Sequence, residues 1–125
     1  MPFKEANVSI ATHALHYGTA AFGGMRAIPD PNEGSTILLF RADRHAKRLS
    51  QSAKLLLVNL EEDYVLDALH QIIKANKPDK PIYLRPFVYT SDLGIAPRLH
   101  NIETDFFIYG IELGDYLSPH GVSCR

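Results

Sequence analysis

The sequence predicts an α+β fold: a small, mostly antiparallel sheet with two helices packed on one face. Three observations point there. Two helical stretches lie together in mid-chain, each with one apolar stripe, and β-rich stretches flank them on both sides. Breaks carrying proline, glycine and asparagine, at 29–34 and 76–81, divide these groups, so the order reads strand, strand, helix, helix, strand, strand. Finally, 125 residues with 46% hydrophobic composition suffice for one core and leave no room for two full domains.

Residues 20–28 and 36–40 read as strands around the first break, carrying Phe22, Met25 and Ile28 and then the run from Ile37 to Phe40. Ala42, Ala46, Leu49, Ala53 and Leu56 recur at steps of four and three, which predicts a helix over 43–57. Val65, Leu66, Leu69, Ile72 and Ile73 predict a second helix over 62–75. Residues 82–90 and 104–112 are rich in aromatic and β-branched side chains and read as strands. Pro86 cannot donate to a ladder, so it suggests an edge position or a bulge. Ser91 to Glu103, with Gly94 and Pro97, is irregular. Gly121 to Arg125 follows Pro119 like the opening of a further strand, so the chain is expected to be cut and its natural sequence to run on past Arg125.

Charge and composition remove several function classes. A formal charge of -1 argues against bulk electrostatic binding to nucleic acid or to an anionic membrane. The longest apolar runs, such as Leu55 to Val58, are far short of the roughly 20 residues of a membrane helix. No apolar stretch follows a basic one at the N-terminus, and the single cysteine, Cys124, has no internal partner. A soluble, cytoplasmic protein is expected. Asn7-Val8-Ser9 matches a glycosylation acceptor by chance on that expectation.

Four groups of residues could carry chemistry. Arg41, Arg44, His45, Lys47 and Arg48 crowd the start of the first helix, where positive charge opposes the helix dipole. They form either a solvated face or an anion site, and the pattern alone does not choose. Tyr83 and Arg85 stand two apart on a strand, about 7 Å along the chain and on one face, continued by Phe87 and Tyr89. An arginine among rings is either a carboxylate receptor or a side chain stacked with its head in water. His13 and His16 lack a third ligand at metal spacing, so no metal is expected and a structural, hydrogen-bonded role is. Phe22, Gly24 and Arg26 alternate and share one strand face; the bare glycine leaves room for a ligand or for a close neighbouring strand. No GxGxxG, P-loop, nucleophile elbow or CxxC occurs, and His120 and Cys124 form no recognisable nucleophile pair.

Taken in order, these segments resemble a known family. The stretch from His13 to Ala27, His-Ala-Leu-His-Tyr-Gly-Thr-Ala-Ala-Phe-Gly-Gly-Met-Arg-Ala, is similar to the opening signature of branched-chain amino acid aminotransferases. Phe40-Arg41, His45 to Leu49 and Ser52 to Lys54 resemble their first helix, and Tyr83-Leu84-Arg85-Pro86 and Gly114-Asp115-Tyr116-Leu117 follow in register. The resemblance covers essentially the whole chain, but only the family's N-terminal, smaller domain: residues 1–118, with 119–125 opening the connection to the larger domain.

That resemblance implies a fold-type IV transaminase using pyridoxal 5'-phosphate to exchange amino groups between leucine, isoleucine or valine and 2-oxoglutarate, with glutamate and 2-oxo acids as partners in the reaction. It implies a homodimer or higher homo-oligomer in which the Ser91–Glu103 loop serves the neighbouring subunit, and no nucleic-acid or membrane partner. Arg48 is implied to bind the cofactor phosphate, with Arg41 and Arg44 left as surface charges. Tyr17, Phe22, Gly24 and Tyr116 are implied to line the substrate side-chain pocket, and Tyr83 and Arg85 to recognise substrate carboxylates. The family's Schiff-base lysine lies in the larger domain; none of Lys4, Lys47, Lys54, Lys74, Lys77 or Lys80 sits in a matching motif, so this chain holds no catalytic residue and is expected to be inactive alone. Two other departures are Gly23, where the family usually has glutamate, and a first strand that the N-terminus is expected to lack. The alternatives are a non-catalytic relic that binds an anion or a protein, and a fragment of a sister enzyme, D-amino acid aminotransferase or aminodeoxychorismate lyase.

Overall fold

The computed structural model describes residues 1–113. After a 3-10 turn at Phe3–Glu5 comes a short helix, α1 (His13–Tyr17), then β1 (Ala20–Phe22), β2 (Met25–Pro29) and β3 (Ile37–Leu39). Two longer helices follow, α2 (Ala42–Leu55) and α3 (Glu62–Asn76), and then β4 (Ile82–Thr90) and β5 (Thr104–Ile111). All pairings among these strands are antiparallel. The expected α+β architecture is present, with α1 as an addition: its five residues are too few to display a helical period.

β4 is the centre of the sheet. It pairs with β5 along one edge and with both β1 and β2 along the other, and β3 extends the sheet beyond β2. The segment expected as one strand over 20–28 is thus two strands on one line. Phe22 lies opposite Phe87 and Met25 opposite Leu84, so Gly23 and Gly24 fall opposite Pro86 and Arg85 without any slip of register.

Pro86 explains the interruption, and its position corrects the expectation of an edge or a bulge. A strand residue turns its N–H and C=O to the same side. Pro86 O accepts from Gly23 N at 2.9 Å, so the donor that proline lacks also faces Gly23. One bond of that pair is made and its mate is missing. A central strand tolerates the proline because its bare side meets the break between β1 and β2.

Alternation along the strands separates two faces. Ala21, Met25, Ala27, Leu84 and Val88 are buried against Ala46, Leu49 and Ala53 of α2 and Val65 and Leu69 of α3. The predicted helical stripes are the ones buried. α2 starts with Asp43 in its first turn, bound through both carboxylate oxygens by Arg41 at 2.9 and 2.7 Å, which offsets the basic crowding there. The helix ends in a Schellman turn: Val58 N donates to Ala53 O and Leu57 N to Lys54 O, with Leu57 left-handed at φ 59°.

Candidate functional site

The sheet face turned away from α2 and α3 carries the residues expected to recognise substrate. Phe22 is 56% exposed there, and Gly24, Tyr83 and Arg85 are half-buried beside it. The Arg85 guanidinium lies 4.5 Å from the centre of the Phe22 ring and 5.2 Å from that of Tyr83. Two rings therefore hold one cation, each contact being worth about 0.5–2 kcal/mol according to how far it is desolvated. Arg85 Nε is buried and has no hydrogen-bond partner among the described residues. Leaving such a donor unpaired costs about 1–3 kcal/mol, and the guanidinium forms no ion pair among the described residues.

Gly24 is what lets this group close. A Cβ built there would clash with Tyr83 Oη and lie 2.7 Å from its Cζ. Arg26, opposite Tyr83 on the same face, is exposed. Phe87 and Tyr89 continue the face and pack with Phe107 at 5.0 and 5.7 Å. Tyr89 donates to Asp105 at 3.4 Å; burial, and then the Asp105 charge, hold its hydroxyl above the ordinary tyrosine range.

Arg48 stands across the strand from this group. Gly23 faces the helices, and a Cβ there would lie 3.7 Å from Arg48 Nη2 and 3.2 Å from Pro86 Cγ. The family's usual glutamate at this position would thus start beside the Arg48 guanidinium; here that neighbour is absent. Arg48 is exposed and forms no ion pair among the described residues, whereas Arg41 is held by Asp43 and Arg44 lies 3.9 Å from the same carboxylate. Arg41 lowers the Asp43 pKa to about 2 through their hydrogen bond. An uncompensated guanidinium suits a phosphate, so the chemistry of Arg48 fits the anionic end of the implied cofactor. Arg48 also acts on His45, whose imidazole is pushed below its ordinary value first by burial and then by that charge, with Asp43 opposing. His45 Nδ1 is buried without a partner among the described residues, at a hollow of about 630 Å³ that Met25, Arg26 and Phe40 also line.

Tyr17 belongs to a different group. Its ring packs 4.5 Å from His13 and 6.2 Å from His16 on α1. Both histidines are hydrogen-bonded, His16 to Ile10 O and His13 to Thr19 nearby and to Thr90, Asp92 and Ala96 far along the chain. The density of contacts at His13 was not visible in the sequence, because Thr90 and Ala96 lie 77 and 83 residues away. Tyr116, the motif at 114–117 and the segment 119–125 lie outside the described residues. Among the described residues no cluster of histidine, cysteine, aspartate or glutamate could hold a metal, and no helix is long and apolar enough to cross a membrane.

Comparison with known proteins places this geometry among relatives. The family model for amino-transferase class IV matches residues 21–120. A probable branched-chain-amino-acid aminotransferase of Synechocystis is 59% identical over all 125 residues, which make up 41% of that protein. The crystal structure of the branched-chain aminotransferase of Thermoproteus uzoniensis with norvaline matches with a TM-score of 0.83 at 28% identity, over 93% of this chain and 39% of that one. The branched-chain amino acid aminotransferase of Thermobaculum terrenum in its PLP-bound holo-form matches with a TM-score of 0.73 at 28% identity, over 88% and 36%. The chain thus spans about two-fifths of the length of the relatives it matches.

Proposed function

The chain belongs to the class IV amino-transferases, and from that premise we propose that its full-length protein moves the amino group between branched-chain amino acids and 2-oxoglutarate. The observation that carries this reading is the Arg85 guanidinium held between Phe22 and Tyr83 without an ion pair among the described residues. One pocket has to take both an apolar branched side chain and the carboxylate of glutamate. The Phe22 ring serves the first, since burying each CH2 contributes about 0.8 kcal/mol. Arg85 serves the second: a carboxylate that accepts from the terminal guanidinium nitrogens gains charged hydrogen bonds and keeps the negative charge at the aromatic wall.

On this proposal Arg48 holds the phosphate of pyridoxal 5'-phosphate, and the lack of an ion pair at its guanidinium among the described residues supports that role. When bound, the cofactor supplies the electron sink that amino-group transfer requires. This chain's own part is to bind and orient: Arg48 fixes the phosphate, Tyr83 braces Arg85, and Gly24 leaves space for Tyr83. The six lysines Lys4, Lys47, Lys54, Lys74, Lys77 and Lys80 are all exposed, and none lies on a strand of the sheet. On this proposal the proton-handling lysine belongs to the larger domain, and the 125-residue chain is inactive alone. A cytoplasmic homodimer or higher homo-oligomer, with the Ser91–Glu103 loop reaching the neighbouring subunit, completes the proposal.

The experiment is a transamination assay of the full-length protein and of the 125-residue chain, with leucine and 2-oxoglutarate as substrates. Glutamate formation by the first and none by the second is expected. Failure of the full-length, cofactor-loaded protein to use any branched-chain amino acid would contradict the proposal.

A further inference from the structure

His13 is a fully buried titratable side chain, 1% exposed, that the proposed chemistry does not use. It ties its own stretch, 13–19, to the stretch 90–96, which is remote in sequence. Its backbone N–H donates to Asp92 O at 2.8 Å, its Nε2 lies 2.8 Å from Ala96 O, and its Nδ1 faces the hydroxyls of Thr19 at 3.0 Å and Thr90 at 2.8 Å. A carbonyl oxygen only accepts, so Nε2 carries a proton and donates to Ala96 O, while Nδ1 meets the two hydroxyls. The two threonine hydroxyls are also in contact with each other, so the Nδ1 side is enclosed.

This arrangement has two ends. At one, the Tyr17 ring lies against the imidazole, four residues along α1. At the other is the stretch from Ser91 to Glu103, which has no regular structure. Ser91 N donates to Glu103 O and closes its base; within it, Gly94 N and Arg98 reach Asp92, and Arg98 N reaches Ala96 O. The bonds from His13 are the ones that fasten its middle to the body of the fold.

We propose that His13 is a positioning residue that holds the Asp92–Ala96 part of this loop and the Tyr17 ring as one rigid piece. The proposal deepens the reading above and rests on it for the assignment of Tyr17 to the substrate pocket. Ring geometry gives it a direct test, because amide side chains imitate the two imidazole nitrogens separately. A glutamine amide reaches the place of Nε2, whereas asparagine reaches only that of Nδ1.

The test compares the full-length protein with its His13→Gln and His13→Asn variants by hydrogen exchange and by kinetics with leucine. In His13→Asn, amides of both 13–19 and 92–98 are expected to exchange faster, and KM for leucine to rise about tenfold, the scale of one lost buried hydrogen bond, with kcat and cofactor retention much less changed. His13→Gln is expected to restore both readouts. Equal behaviour of the two variants overturns the proposal, as does faster exchange confined to one segment or a KM that stays constant while both segments loosen. If the unaltered protein fails to transaminate, the functional reading fails instead, and the paired exchange pattern still decides whether His13 couples the two segments.

Discussion

The Tyr83 hydroxyl stands where the β-carbon of any residue other than glycine would lie at position 24. Gly24 lies in the break between β1 and β2, beside β4, which carries Tyr83, and the ring so accommodated is one of the two that hold Arg85. Gly24→Ala therefore forces the ring aside or the strands apart. A stability loss of about 1–3 kcal/mol is expected, the usual scale of overpacking. Adding Tyr83→Phe should recover part of it by removing the nearest atom. Thermal melts of the single and double variants check this, and no recovery in the double variant would show that the strain lies elsewhere.

Arg41 stands at the start of α2 and Arg48 near its middle, and of the two only Arg41 has a carboxylate bound to it among the described residues. In the full-length protein Arg48→Ala should weaken cofactor retention by about tenfold or more, the scale of a lost charged hydrogen bond, while Arg41→Ala leaves it nearly unchanged. Cofactor absorbance after dialysis measures both. Equal loss in the two variants would remove the phosphate from Arg48.

His45 makes stability depend on pH with a definite sign. Its folded-state pKa lies below the ordinary 6.5, so the unfolded chain takes up the proton first. Its effect on stability is nil above about 6.5; stability then falls as pH drops from there through the lower folded value. His45→Gln should flatten this part of the profile. Melting temperatures between about pH 7.5 and about pH 5.5 report it, and an unchanged slope would assign the acid sensitivity to another group.

Leu57 holds a left-handed conformation at φ 59° and is 69% exposed, so little burial favours a leucine there. Leu57→Gly should stabilise the fold by about 1 kcal/mol by relieving that strain. Urea unfolding gives the sign, and a loss of stability would mean that the leucine side chain packs to more effect than its exposure suggests.

Sequence periodicity revealed much of this architecture because the relevant signals are local. Ala46, Leu49 and Ala53, and then Val65 and Leu69, repeat at helical spacing and are the residues buried. Tyr83 and Arg85 alternate with Leu84 and Pro86, so their shared face was readable as well. Long-range pairing was not. Pro86 suggested an edge, and only the register with Gly23 shows how a central strand accommodates it. α2 and α3 end in left-handed Leu57 and Lys77, where no glycine announced a stop. The sequence placed Phe22 and Arg85 on strand faces, but their stacking depends on β1 lying beside β4.

The most direct test of the account is the turnover of glutamate and leucine by the full-length protein carrying Arg85→Ala. Loss of the guanidinium removes a charged hydrogen bond to the side-chain carboxylate and leaves the Phe22 wall in place. The account predicts that kcat/KM for glutamate falls by about 10- to 100-fold, while that for leucine falls several times less. Equal losses for the two substrates would mean that Arg85 braces the pocket in general, and would contradict its role as the carboxylate receptor.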